Sequence, residues 1–293
     1  MSKKFKKTVA LICAVCLVCV AMCGTVFAED QTQSETEADY TDMQIYVDGL
    51  LVCRGYLKDG TTYVTMESMF NALGLDADIQ WSETSEETPD SITKTMTAFV
   101  DGIEITYTEG DEYLCANGRY FYLPGGCIEK DDTAWFPARV IAKIFTLGMS
   151  KDEGKNIVHV TTDDMAVLAS GETFYNADDV DRLSHIIYAE AGNQPLAGMI
   201  GVGAVVMNRV SSDRFPNTIE EVLYAPGQFD PVSNGSINLK PNAQSVIAAH
   251  LALEGYNTVG DSVFFHNPGS STSYLNNSTF VVRLQDHVFF SLS

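Results

Sequence analysis

Val180, Leu183, Ile186 and Ile187 recur at the three- and four-residue spacing of one helix face, and the next position on that face is Glu190. A carboxyl group on the core-facing side of a helix loses water, resists ionising and holds its proton to higher pH. That is what a general acid working near neutrality requires. The same placement also fits a structural acid, hydrogen-bonded or ion-paired at a helix end. Neighbouring residues must decide between the two.

The elements that would position Glu190 can be read from caps and breakers. Asp178 or Asp179 can cap its helix, and Gly192 can end it. A second helix is expected from Pro195 to Val210, with proline in its first turn. Its Gly198, Gly201 and Gly203 cost helix stability unless another backbone packs closely against them. Thr218 and Glu221 have capping-box spacing ahead of a third helix, Ile219 to Tyr224. A fourth runs from Pro241 to Glu254 and closes at Gly255. The apolar runs Val263-Phe264-Phe265 and Val288-Phe289-Phe290 read as a small β element. Residues 179–293 are therefore expected to be mainly helical.

Upstream the pattern changes. Lys3, Lys4, Lys6 and Lys7, the apolar run Val9 to Met22, and Val26-Phe27-Ala28 read as a secretory signal over residues 1–28. That run is shorter than a membrane span needs. Residues 29–42 are polar and acidic and read as a disordered leader. From Met43 short alternating runs such as Gln44–Val47 and Thr62–Thr65 indicate strands, with an acidic loop over 81–91 and more strands near 96–107 and 119–123. Residues 62–74 and 133–148 share one plan, a strand leading into an amphipathic helix that ends near glycine. Residues 43–165 thus form a β-rich domain, and 166–178 read as a linker. The fold class is α+β.

The formal charge is −21 at pH 7, and −25 once the four lysines of residues 1–28 are removed. Residues 29–178 carry 29 acidic and nine basic side chains, against ten and five in residues 179–293. Such a chain does not bind nucleic acid or an anionic surface by bulk electrostatics. It would meet an anionic wall polymer only through a shaped site. Beyond residue 28 the cysteines are Cys53, Cys115 and Cys127, and Cys115 with Cys127 is the expected pair. The carboxy-terminal half has no cysteine, which excludes a cysteine peptidase there.

Tyr188-Ala189-Glu190-Ala191, Gly198, the run Gly203 to Val210, Phe215-Pro216-Asn217-Thr218-Ile219, Pro226-Gly227-Gln228-Phe229, Phe265-His266-Asn267-Pro268 and His287-Val288-Phe289 occur in an order and spacing that resemble the catalytic domain of the SleB/CwlJ cell-wall hydrolases. The resemblance spans 180–290. It implies a lysozyme-like fold that cleaves the glycan strands of peptidoglycan in the wall or spore cortex, outside the cell and without a cofactor or metal. It further implies that Glu190 is the catalytic acid of a lytic transglycosylase. Such a reaction needs one carboxyl group, because the nucleophile already belongs to the substrate. Asp230 and Asp286 are the other acids near these motifs.

By the same resemblance Gln194, Gln228, Phe229, Asn267, Thr272, Ser273, Tyr274 and His287 would face substrate. Core packing for Phe229 and His287, and a turn for Asn267, are the alternatives. Asn208-Arg209 reads as structural. Many relatives carry a second glutamate where this chain has Gln194, tryptophan at Leu275 and glycine at Gln285. Residues 43–162 resemble the copper amine oxidase N-terminal-like domain. Their one histidine, His159, gives no copper site, and a wall or regulatory protein is the partner such a module would take. Two other readings of the carboxy-terminal half are a zinc amidase, although its four histidines lack metal-motif spacing, and a wall-binding module without catalysis.

Overall fold

Alternation governs the amino-terminal half. Met43, Ile45 and Val47 are buried on one face of β1 (Thr41–Val47), and the residues between them lie towards solvent. The strand sits inside a seven-stranded sheet in the order β11 (Gly148–Lys151), β12 (Ile157–Thr161), β1, β2 (Leu50–Lys58), β3 (Thr61–Val64), β10 (Thr133–Pro137) and β9 (Ile128–Lys130). Only β1 and β12 run parallel. A second sheet is a five-stranded meander of β4 (Ala77–Ser85), β5 (Ile92–Val100), β6 (Ile103–Thr108), β7 (Tyr113–Ala116) and β8 (Arg119–Tyr122). The computed structural model describes residues 40–85, 92–131, 133–268 and 278–293.

The repeated plan is real. In one copy β3 leads into α1 (Met66–Ala72), in the other β10 leads into α2 (Ala138–Ile144), and the two strands pair antiparallel with Phe136 opposite Val64. The stops differ. Gly74 turns left-handed after α1 (φ +68°), whereas Thr146 takes that role after α2 (φ +56°) and Gly148 opens β11.

Several expectations are corrected. Thr41 and Asp42, assigned to the leader, begin β1. Residues 81–85, assigned to a loop, continue β4, because each pairs with a residue of β5; residues 86–91 lie outside the described residues, as do 1–39 with the expected export signal. Cys53, Cys115 and Cys127 are all free thiols. Cys115 lies opposite Thr106, on the sheet face away from the buried Ile105 and Tyr107, while Cys127 is hydrogen-bonded to Tyr107. Opposite faces of one sheet prevent their pairing.

The expected linker is folded as well. It contains α3 (Gly171–Phe174), and the Gly171 N–H donates to Asn117 O at 2.8 Å. A side chain at Gly171 would collide with the Gly118 carbonyl. With this segment docked, the described residues from 40 to 293 belong to one compact unit.

The carboxy-terminal half is α4 (Ala177–Ala191), α5 (Leu196–Val210), α6 (Ile219–Tyr224), α7 (Asp230–Asn234) and α8 (Ala243–Leu253), followed by a three-stranded sheet of β13 (Phe264–His266), β14 (Ser278–Leu284) and β15 (His287–Leu292) with β15 central. The cap of α4 is Asn176, not an aspartate; its side chain accepts from the N–H groups of Asp178 and Asp179, which occupy the first turn. Thr218 caps α6 as expected. Side chains rather than backbone fill the space beside the glycines of α5. A Cβ at Gly203 would stand 2.8 Å from Ala252 Cβ and 3.0 Å from Ile187 Cδ1, so α4 and α8 converge there. β14 has no signal in the sequence, since its residues are partly or fully exposed and do not alternate.

Between the halves lies β8. Phe121 enters the amino-terminal core, while Tyr120 and Tyr122 pack against the core of the helical half. Tyr120 stacks on His250 of α8 at 4.8 Å. Directly after α8, Glu254 receives both Nε and Nη2 of Arg119 at 2.6 and 2.7 Å, and the Tyr175 hydroxyl at 2.8 Å. Lys143 Nζ stands 3.7 Å from the same carboxylate.

Candidate active site

Because α4 begins at its Asn176 cap and runs 15 residues, Glu190 falls in its last turn. Leu183, Ile186 and Ile187 are fully buried on the stripe that the sequence marked. Glu190 itself is half-buried and opens into a cavity of about 520 Å³. Arg209 and His287 line that cavity with it, as do the loop residues Gln228, Phe229 and Asp230 and the β13 end, Phe264 to Asn267.

Burial, reinforced by the nearby negative charge of Asp230 and opposed by Arg209, pushes the Glu190 carboxyl up to about 7. Near neutral pH it is a carboxylic acid about as often as a carboxylate. Arg209 is only 4% exposed. Its Nε donates to Val263 O at 2.8 Å, and its guanidinium lies over Phe229 (4.8 Å), Phe215 (5.3 Å) and Phe264 (5.7 Å). Desolvation lowers its pKa to about 10, and Glu190 opposes that shift. Nη1 of Arg209 is buried without a hydrogen-bond partner.

His287, also 4% exposed, packs edge-on against Phe265 at 5.1 Å. Burial holds its pKa below the ordinary histidine value, so the ring is neutral at pH 7. Its Nδ1 also lacks a partner. A half-ionised carboxyl and a fixed cation therefore line one sugar-sized cavity, and two of the residues around it, Arg209 and His287, each keep a buried nitrogen without a partner. Unpaired buried polar groups are costly unless a ligand completes them.

Of the residues that the sequence marked, Glu190, Gln228, Phe229, Asn267 and His287 come together here. Phe229 serves both of its readings, since it is buried against Phe265 and also lines the cavity. Gln194 does not line it. Its Nε2 donates to Asp286 Oδ2 at 2.9 Å and its Oε1 accepts from the Asp286 N–H at 3.3 Å, clamping the turn before His287. In that turn Gln285 is left-handed (φ +47°), at the position where glycine would carry no strain. Asp286 is thus a structural acid, whereas Asp230 shares the cavity with Glu190. Thr272, Ser273, Tyr274 and Leu275 lie outside the described residues.

Arg209 was missed. The signal was available: it follows Val205 and Val206 by one turn on α5, a helix whose interior is buried on every side. A cation there had to find a special environment. Asn208, by contrast, is structural as read, donating to Gly260 O and Ser262 O at 2.8 Å.

Residues 193–290 match the family model described as Cell Wall Hydrolase, and residues 51–160 the one described as Copper amine oxidase N-terminal domain. A spore cortex-lytic enzyme of Bacillus cereus is 31% identical over 116 residues, which are 39% of this chain and 45% of that protein. One from Oceanobacillus iheyensis is 33% identical over 99 residues, 34% of this chain and 36% of its own length. This chain carries a SleB/CwlJ-type catalytic domain behind a copper amine oxidase N-terminal-like domain. The crystal structure of the catalytic domain of the Bacillus cereus SleB protein is 30% identical, covering 40% of this chain and 92% of that one with a TM-score of 0.38. The chain spans less than half the length of the two curated relatives. Glu190 stands just ahead of the matched Cell Wall Hydrolase segment.

Proposed function

We propose that this protein is an exported lytic transglycosylase that cuts the glycan strands of peptidoglycan, with spore cortex as its substrate. One observation carries the reading: Glu190 is a partly dehydrated carboxyl with a pKa of about 7 inside a cavity large enough for a sugar. The names of the relatives, spore cortex-lytic enzymes, supply the substrate class.

In the first step the Glu190 hydroxyl donates its proton to the oxygen linking N-acetylmuramic acid to N-acetylglucosamine, and the C1–O bond breaks. The muramoyl 6-hydroxyl then attacks C1, and its proton passes to the Glu190 carboxylate. A 1,6-anhydro bond forms, and no water is consumed. Arg209 stabilises the carboxylate between the two steps without locking it, since no ion pair joins them. Arg209 and His287 line the cavity beside Glu190, and polar side chains there suit the acetamido and hydroxyl groups of the sugar.

Asp230 favours a second reading. A second carboxylate in the same cavity could activate water, giving ordinary hydrolysis with reducing ends. Digestion of purified cortex and vegetative sacculi by the full chain, read by mass spectrometry, separates them. Anhydromuramyl ends support transglycosylation, and reducing muramyl ends support hydrolysis. Freed stem peptides, or intact sacculi, defeat both. The Glu190→Gln chain is the control.

A further inference from the structure

A second cavity, of about 550 Å³, lies where the two halves meet. Arg139 from α2, Lys143 from α2 and Lys151 from β11 line it, together with Tyr122 from β8 and Tyr256 from the helical half. No acidic side chain does. This is unexpected in a chain with a charge of −21, whose residues 29–178 hold nine basic side chains among 29 acids. A third of those bases face one cleft.

Internal partners do not account for the charge. Arg139 and Lys151 make no ion pair among the described residues. Asp152, next to Lys151, is turned to Lys155 at 3.2 Å and His159 at 3.4 Å. Glu254 beneath the cleft is engaged bidentately by Arg119. Lys143 donates to the Glu254 backbone carbonyl at 2.7 Å and holds its ammonium 4.2 Å above the Tyr256 ring. One buried carboxylate thus faces two cations, and Arg139 and Lys151 add two more. The rest of the wall mixes apolar Leu147, Met149 and Val158 with the hydroxyl side chains Thr61, Thr62 and Ser150.

From this charge complementarity we propose that the cleft is a binding site for a short peptide bearing several carboxylates and small apolar side chains, the chemistry of a peptidoglycan stem peptide. Carboxylates pair with Arg139, Lys143 and Lys151, and alanine-sized methyl groups lie on the Leu147 and Met149 surface. The proposal rests on the wall substrate argued above. It gives the amino-terminal domain a task, holding the peptide arm of a wall fragment while the other domain works on its glycan. A polyol phosphate polymer would leave the Leu147, Met149 and Val158 surface without a partner, which argues against it.

The test is calorimetric titration of a free tetrapeptide (L-alanine, D-glutamate, diaminopimelate, D-alanine) into the full chain carrying Glu190→Gln, so that no cleavage intrudes. Saturable binding is expected, weakened by about tenfold or more in the Arg139→Gln/Lys151→Gln double variant and restored towards the parent value by Lys151→Arg in place of Lys151→Gln. Both changed side chains are exposed, and equal melting temperatures would establish that the variants fold. Absence of peptide binding, binding indifferent to the double variant, or binding of a polyol phosphate polymer in place of the peptide overturns the proposal. Failure of the wild-type chain to cleave sacculi, with peptide binding intact in the Glu190→Gln chain, would count against the active-site reading alone.

Discussion

Glu190 ends α4 and Glu254 follows α8, so two carboxylates of one domain are carried inward at the ends of apolar helices. Their surroundings differ. Glu254 has a side chain 1% exposed and meets a bidentate arginine, a tyrosine hydroxyl and a lysine. Its lone pairs are filled by donors within 3 Å. Glu190 has a cation in the same cavity but no bond to it, and the other charge that acts on it, Asp230, is of its own sign. Burial is common to both. The partners make one a fastening and leave the other with a proton to give.

The largest effect that would sharpen this contrast is chemical. Glu190→Gln should reduce glycan cleavage by roughly 10²–10⁴-fold, the span of general acid catalysis, while the protein melts no lower than wild type. A variant that cuts sacculi at the parental rate would break the comparison outright. Next comes Glu254→Gln, which strands Arg119 in a buried site. Denaturant unfolding should show a loss of about 3–5 kcal/mol with turnover per folded molecule preserved. If turnover collapsed while stability held, the roles of the two acids would have been misassigned.

A smaller signal is the pH dependence of stability. Glu190 titrates at about 7 in the folded protein, against an ordinary value of 4.5. Between those values the folded state keeps a proton that the unfolded state has lost, so stability falls as pH rises through this window and levels off above it. Relative to Glu190→Gln, the wild type should lose about 3 kcal/mol between pH 4 and pH 8; parallel stability curves for the two proteins would contradict the raised pKa. The same protonation gives kcat/KM an alkaline limb near pH 7. Asp230→Asn should move that limb down by less than about one unit, because an exposed like charge is removed. An unmoved limb with anhydro products would take Asp230 out of the electrostatics of the site.

Much of the carboxy-terminal site was legible because helix periodicity is a local code. The stripe ending in Glu190, the cap of α6, the Gly255 stop after α8, and the two phenylalanine-rich strands follow from spacing over a few residues. The α4 cap is Asn176, two and three residues ahead of the aspartates that the sequence offers, a choice that only the backbone angles settle. β14 carries no alternation because neither of its faces is deeply covered. The folded 166–178 segment was read as a linker from its composition, although Gly171 owes its identity to Gly118, distant in sequence.

The order of amino acids by itself determined where the longer helices lie, which turn carries Glu190, how the strand–helix unit repeats, and that the chain is too acidic for diffuse attraction to an anion. Tertiary structure alone decided that Arg209 enters the cavity while Gln194 turns away to hold Asp286, that Cys115 and Cys127 lie on opposite faces of a sheet, and that cations from β8, α2 and β11 gather where the domains meet. The reason is range. Helix and strand signals are written within one or two turns of chain, whereas the field and solvation at a side chain depend on groups that only folding brings beside it.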